Sequence, residues 1–172
     1  ESALKSDLEE KYKAKAWQLI ARSYTKVENV ENAIAAYGNA LLLADTTDRN
    51  ALIEEYGKYL FVNEKYRDLI ALLDDKALDE LDESTQYRLL YSLVETKNFT
   101  VANATLNTLV FQDPEALIQT RFLTARILLE QGEPSEGIAV LNALGAEGYP
   151  EAYILAGDAY FCLLYTSPSP RD

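Results

Sequence analysis

The chain has 172 residues, with 16 Lys plus Arg against 28 Asp plus Glu, no His and a single Cys, Cys162. The lack of His excludes imidazole bases, Ser-His or Cys-His nucleophile pairs and imidazole metal sites, and the lone Cys excludes a disulfide framework. The net charge of −12 argues against binding to duplex nucleic acid or to an anionic membrane surface. We therefore expect no catalytic residue, no metal and no cofactor.

The first residue is Glu1, and residues 1–13 are charged and helix-favouring without the apolar centre of a secretory signal. We expect a helical lead-in over 1–13, and a fragment whose targeting segment, if the protein has one, is missing. Nothing approaches the run of about 18 apolar residues that spans a membrane, so we expect no membrane contact by this fragment. The compartment, cytoplasmic or periplasmic, is left open.

Proline is absent from the first 113 residues, where apolar residues recur three and four apart, and this spacing predicts helices throughout. In the second half, Pro114, Pro134 and Pro150 each precede a new helical pattern. Proline fits the first turn of a helix because its missing N–H would be unsatisfied there anyway. The sequence therefore predicts helix starts near 114, 134 and 150.

Residues on the predicted helix faces recur at a period near 34 residues. Three series run in phase: Ala21, Gly57, Leu90, Ala125 and Gly157; Ala33, Leu69, Ala102 and Gly137; and Tyr37, Leu73, Leu106 and Leu141. An ordinary helical bundle needs only the local period of about 3.6 residues, so this longer period indicates a repeat array.

Seven residues of the first repeat carry a family resemblance: Trp17, Ile20, Ala21, Tyr24, Ala33, Tyr37 and Ala40. At these positions the chain resembles the tetratricopeptide repeat (TPR) family, a helix-turn-helix unit of about 34 residues. Ala21 and Ala33 would let two antiparallel helices approach closely, with aromatic residues beside them. The resemblance implies an all-α, right-handed α-solenoid of antiparallel helix pairs over 14–161, with about four TPR-like repeats plus the first helix of a fifth.

Residues 162–172, CLLYTSPSPRD, do not continue this pattern. Pro168 and Pro170 forbid the second helix that a fifth repeat would need. The segment resembles a translated sequencing adapter, so we expect a non-native or disordered tail. The alternative is a genuine Pro-Ser tail that ends the array.

In the TPR family the first helix of each pair lines the concave face, and this register implies a partner-binding groove. The implied groove residues are Lys15, Gln18, Arg22 and Lys26 in the first repeat, Lys58 beside Glu54 in the second, Tyr87 and Tyr91 in the third, and Phe122 and Arg126 in the fourth. Arg and aromatic residues often anchor partners, so we expect a protein or an extended peptide that is acidic or bears aromatic residues. The alternative for any one of them is partial burial between repeats or simple solvation.

Three functions are compatible with these patterns. The first is a non-catalytic scaffold or adaptor that binds a protein segment in its groove. The second follows from the first repeat, which is similar to the periplasmic repeat domain of bacterial cytochrome c maturation factors that hold apocytochrome tails. The third is the docking domain of a larger enzyme whose catalytic part lies outside this chain.

Overall fold

The computed structural model describes the backbone of residues 2–166 and the side chains of residues 9–163. This part of the chain is helical throughout and contains no strand. The chain divides into two compact units, Glu1–Ala77 and Leu78–Asp172. No helix among the described residues is long and apolar enough to cross a bilayer.

Each unit consists of helices that pack against their neighbours in the chain. The first unit contains α1 (Ser2–Lys26), α2 (Val30–Leu43), α3 (Thr46–Val62) and α4 (Tyr66–Leu73). The second unit contains a short 3-10 turn (Leu78–Glu80), α5 (Glu83–Glu95), α6 (Phe99–Leu106), α7 (Pro114–Glu130), α8 (Pro134–Ala146) and α9 (Pro150–Thr166).

The three predicted proline starts are confirmed, because α7, α8 and α9 begin at Pro114, Pro134 and Pro150. The helices α3 and α5 begin at carboxylate caps, Asp45 and Asp82, that accept from backbone N–H groups in their first turn. Asp45 accepts from the N–H groups of Thr47 and Asp48 at the start of α3, the place where TPR units usually close with Pro. Local chemistry therefore sets the starts of these helices.

The turn within each helix pair contains one residue in the left-handed region, at Glu28, Glu64, Lys97 and Gly132. In each turn the next residue donates its N–H to the carbonyl five positions earlier, for example Asn29 to Tyr24 and Glu133 to Leu128. This geometry closes the C-terminus of a helix in the Schellman manner. Since the four turns are 36, 33 and 35 residues apart, the backbone repeats with the same steps as the sequence.

The core of the first unit uses the predicted small residues. Ala21 and Ala33 are fully buried at the α1–α2 contact, and Tyr37 is 2% exposed with its ring centroid 5.0 Å from that of Tyr56. Trp17 and Tyr24, expected to fill the gaps beside them, are only half-buried, and Ile20 is 39% exposed. The close helix approach is therefore real, but of the three aromatic residues only Tyr37 is a core residue.

The core of the second unit is a cluster of buried aliphatic residues on α7, α8 and α9: Ala125, Ile138, Leu141, Leu144, Ala152 and Ala156. Gly137 of α8 sits so close to α7 that an added Cβ would lie 3.0 Å from the Ala125 carbonyl oxygen and 2.9 Å from Leu129 Cγ. A side chain there would push α7 and α8 apart, which explains why a small residue stands at this position of the repeat.

The predicted segment boundaries stay predictions. α1 runs without a break through the expected boundary between residues 13 and 14, and α9 continues past Phe161 to Thr166. Most of the expected tail, residues 167–172, lies outside the described residues.

Candidate functional site

Apart from Lys15 and Lys26 of α1, the predicted groove residues occupy two positions, four residues apart, on the first helix of each pair. They are Gln18 and Arg22 on α1, Glu54 and Lys58 on α3, Tyr87 and Tyr91 on α5, and Phe122 and Arg126 on α7. Residues four apart share one face of a helix.

In the first unit, Glu55 of α3 accepts hydrogen bonds from side chains of α1 and α2. Arg22 donates to its two carboxylate oxygens from Nε and Nη2, both at 2.7 Å. Gln18 Nε2 donates at 2.7 Å and the Tyr37 hydroxyl donates at 3.0 Å. Arg22, expected to face a partner, is therefore already held by a carboxylate of the protein itself.

This hydrogen-bond network shifts the pKa values of Glu55 and Tyr37. The hydrogen bond from Arg22 lowers the pKa of the Glu55 carboxyl below its usual 4.5. Burial, together with the nearby Glu55 charge, raises the pKa of Tyr37 to about 12. At neutral pH the cluster is an ionised carboxylate that neutralises one guanidinium and accepts from one neutral phenol.

The remaining predicted cations of the first unit are dispersed. Lys15 Nζ lies 3.9 Å from Asp48, and Lys26 and Lys58 are exposed. Lys58 lines a crevice of about 620 Å³ together with Tyr37, Glu55 and Tyr59. The structure thus brings Gln18 and Arg22 together at Glu55. Lys15 and Lys26 do not line the crevice.

In the second unit, three successive first helices line one cleft of about 790 Å³, which we call the α5–α7–α9 cleft. Four of the predicted residues line it: Tyr87 and Tyr91 from α5, and Phe122 and Arg126 from α7. The sequence register is sufficient to place these four on one surface. We therefore treat this cleft as the main candidate site.

The walls of the cleft are largely apolar. Leu123 and Leu129 of α7 and Leu155, Ala159 and Leu163 of α9 line it beside the aromatic residues. The Tyr87 and Tyr91 rings are tilted at 50° with centroids 6.2 Å apart, and burial raises the pKa of Tyr87. Such a surface offers contact area for apolar side chains and phenol groups for hydrogen bonds.

Arg126 provides a charge on the cleft lining, but it is paired within the protein. Its Nη1 donates to Glu95 at 2.6 Å, and its Nε donates to Glu130 at 3.3 Å. The hydrogen bond from Arg126 lowers the pKa of Glu95, and that with Glu95 raises the pKa of Arg126. Both ends of the pair are therefore charged at neutral pH.

Sequence reasoning missed the α9 side of the cleft. Asp158 lines it and stands on the same step of the repeat as Arg126, one residue after the small position Gly157. Extending the register to the fifth repeat would have found Asp158.

The polar groups that line the cleft are phenols, one guanidinium, carboxylates, an amide and the Cys162 thiol. Among the described residues no group of three or more His, Cys, Asp or Glu could hold a metal ion. Apolar walls with a few polar groups at the margin are typical of surfaces that hold a protein segment.

Comparison with known proteins identifies the fold. The crystal structure of YrrB, described as a TPR protein with an unusual peptide-binding site, matches with a TM-score of 0.60 at 22% sequence identity. The match covers 97% of this chain and 86% of the YrrB chain. The chain therefore has an all-α, TPR-like solenoid fold of helix pairs, as the sequence predicted. No family model and no curated protein matches the chain.

Proposed function

We propose that this chain is a TPR-type scaffold that binds a peptide segment in the α5–α7–α9 cleft. The observation that carries the proposal is that first helices from three successive repeats supply the walls of one apolar cleft of about 790 Å³. A cleft of that size accommodates several apolar side chains of a short segment.

The residue types on the walls support a protein ligand. Tyr and Arg are enriched among residues that dominate binding energy at interfaces, and Tyr87, Tyr91 and Arg126 all line the cleft. Phe122 lies between the two tyrosines and α9 in the repeat order and is half-buried, so it retains surface for a ligand. YrrB, which shares the fold, is described as having a peptide-binding site, and this supports a peptide as the class of ligand.

The proposal extends more weakly to the predicted residues of the first unit. Gln18 and Arg22 are engaged by Glu55, so Lys26 and Lys58 are the exposed cations that a ligand of that unit would meet. Lys15 lies near Asp48. These residues are dispersed over the first unit and are not needed for the cleft.

Two narrower functions stay predictions from the sequence. A periplasmic domain that holds apocytochrome tails would bind such a tail more tightly than its scrambled version. A docking domain of a larger enzyme would bind a segment of that enzyme's substrate. Both would use the scaffold function that we propose, and neither requires chemistry from this chain.

The test is a selection of linear peptides from a phage-displayed random library on the intact chain, followed by calorimetry with the selected peptides. We expect apolar and aromatic residues to be enriched among them. Phe122→Ala should weaken the selected peptides by about 2 kcal/mol, which is roughly thirtyfold in Kd.

The matched control is Val110→Ala, which truncates an apolar residue that is 83% exposed and lies outside the cleft. Circular dichroism checks that both variants keep their helix content. Equal affinity of the Phe122→Ala variant and the wild type would remove the cleft from the proposal. Enrichment without apolar residues would do the same.

A further inference from the structure

We infer that the peptide taken by the α5–α7–α9 cleft carries a cationic residue, Lys or Arg, beside its apolar anchor and contacts Asp158 with it. The inference rests on the proposed function and specifies the partner of the same site. The sequence predicts a partner that is acidic or bears aromatic residues, and this inference differs from the acidic alternative because of how the charges of the cleft are paired.

An acidic ligand would have to pair with Arg126 at this cleft, and the Arg126 guanidinium is already paired within the protein. Glu95 and Glu130 both accept from its guanidinium, at 2.6 and 3.3 Å. The Glu95 side chain is 23% exposed, so an acidic ligand that displaced it would leave a partly buried carboxylate without its partner. That loss offsets what the new ion pair would gain.

The charged side chains that line the cleft, taken with their ion-pair partners, leave an excess of negative charge. Arg126, Glu130 and Asp158 line the cleft. Glu95 and Lys97 lie outside the lining, where Glu95 pairs with Arg126 and Lys97 Nζ lies 3.6 Å from Glu130. Arg126 and Lys97 therefore offset Glu95 and Glu130, and the charge of Asp158 is left uncompensated.

Asp158 is the carboxylate that carries this excess. It is exposed on α9 and forms no ion pair with any side chain that the structure describes. Its neighbours on the cleft wall are Leu155, three residues earlier, and Ala159. An apolar side chain seated on this wall therefore brings the next residues of its peptide close to the Asp158 carboxylate.

The net charge of the whole chain also favours a cationic ligand. A net charge of −12 attracts cationic ligands over distances of about a Debye length and repels anionic ones. Charge complementarity of this kind sets partner choice and association rate more than total affinity.

The experiment uses three fluorescently labelled peptides that share a Phe-Leu-Phe core flanked by Lys, by Ser or by Glu. Binding to the intact chain is measured by anisotropy at low and at high salt. We expect the Lys-flanked peptide to bind about two- to fivefold more tightly than the Ser-flanked one, and the Glu-flanked peptide to bind most weakly. The differences should shrink at high salt.

Asp158→Asn should reduce the Lys preference to what the net charge alone gives while the Ser-flanked peptide binds as before, and Asp158→Lys should reverse the order. Glu136→Gln is the matched control, because it removes one exposed carboxylate of the same unit that does not line the cleft. The control should keep the wild-type preference.

The outcomes separate this inference from the proposed function. Equal or tighter binding of the Ser- or Glu-flanked peptide overturns the inference and leaves the cleft as a peptide site. An unchanged Lys preference in the Asp158→Asn variant also overturns it, because the preference then comes from net charge alone. If none of the three peptides binds, the proposed function fails and the inference fails with it.

Discussion

At the scale of single residues, the side chain at one position of the repeat changes in chemistry along the array. The residue after the small position is Arg22, Lys58, Tyr91, Arg126 and Asp158 in turn. The repeat predicts where this residue lies, and four of the five line the crevice of the first unit or the cleft of the second. What each side chain can do depends on its partners, which differ from repeat to repeat.

The turns also act through single residues. Gly132 has φ +85, and an added Cβ would meet nothing within 4 Å, so a substitution there is opposed only by the backbone conformation. Gly157 is exposed within α9 and has equally open space, without the positive φ. Steric crowding is absent at both glycines, so the two substitutions differ in the backbone conformation that they meet.

We predict that Gly132→Ala lowers the free energy of unfolding by about 1 kcal/mol, because L-residues are strained in the left-handed region. Gly157→Ala should instead raise it by up to about 1 kcal/mol, because Ala favours a helix interior over Gly. Urea denaturation followed by circular dichroism measures both. If the two changes have the same sign, the turn geometry at Gly132 is not what limits substitution there.

At the scale of helices, the same carboxylate that neutralises Arg22 joins three elements. Glu55 of α3 accepts from Gln18 and Arg22 of α1 and from Tyr37 of α2. Its side chain is 27% exposed, so the network is shielded from solvent more than an ordinary surface pair. We therefore expect Glu55 to stabilise the packing of α1, α2 and α3.

The lowered pKa of Glu55 gives this contribution a pH dependence. A carboxyl whose folded pKa lies below its unfolded value stabilises the protein fully above the unfolded pKa, and the stabilisation is lost as pH falls through the folded pKa. We predict that Glu55→Gln costs about 1 to 2 kcal/mol at pH 7 and much less well below pH 4.5.

The measurement is the free energy of unfolding of the wild type and the variant over this pH range. Glu54→Gln removes the same charge from the neighbouring exposed position and controls for net charge. A difference between wild type and the Glu55→Gln variant that does not change with pH would show that the ion pair with Arg22 contributes nothing to stability.

At the scale of the whole molecule, the dominant property is the excess of acidic residues. The net charge is −12, and the acidic segment 74–83 contains exposed carboxylates, among them Asp75 and Asp79. Charges of one sign repel each other more in the folded chain than in the expanded unfolded chain. Most of the ion pairs that could oppose this repulsion lie on the surface, where each contributes little.

We predict that added salt stabilises the protein, because it screens the repulsion more than it weakens the few surface pairs. Raising NaCl from low to physiological concentration should raise Tm by about 2 to 4 °C, which corresponds to about 1 kcal/mol for a chain of this length. The double variant Asp75→Asn, Asp79→Asn should respond less. A fall of Tm with salt would mean that the ion pairs outweigh the net charge.

The fold was predictable to the extent that local chemistry sets it. Pro114, Pro134 and Pro150 start helices because of their own ring geometry, and the period near 34 residues reappears in the turns at Glu28, Glu64, Lys97 and Gly132. Gly132 carries a signal for the left-handed conformation, but Glu28, Glu64 and Lys97 were not predictable, because Glu and Lys carry none. The half-burial of Trp17 was not predictable either, since it depends on what packs beside α1.

The candidate site likewise has features that the sequence predicts and features that only the tertiary structure shows. The sequence alone determined that Tyr87, Tyr91, Phe122 and Arg126 share a surface, because helix period and repeat period together fix the direction of a side chain. Only the tertiary structure decided that Glu95, which lies 31 residues from Arg126 along the chain, neutralises it, and that Glu55 neutralises Arg22. Ion pairing depends on distances of a few ångströms between side chains on different helices, and no periodicity in the sequence encodes those distances.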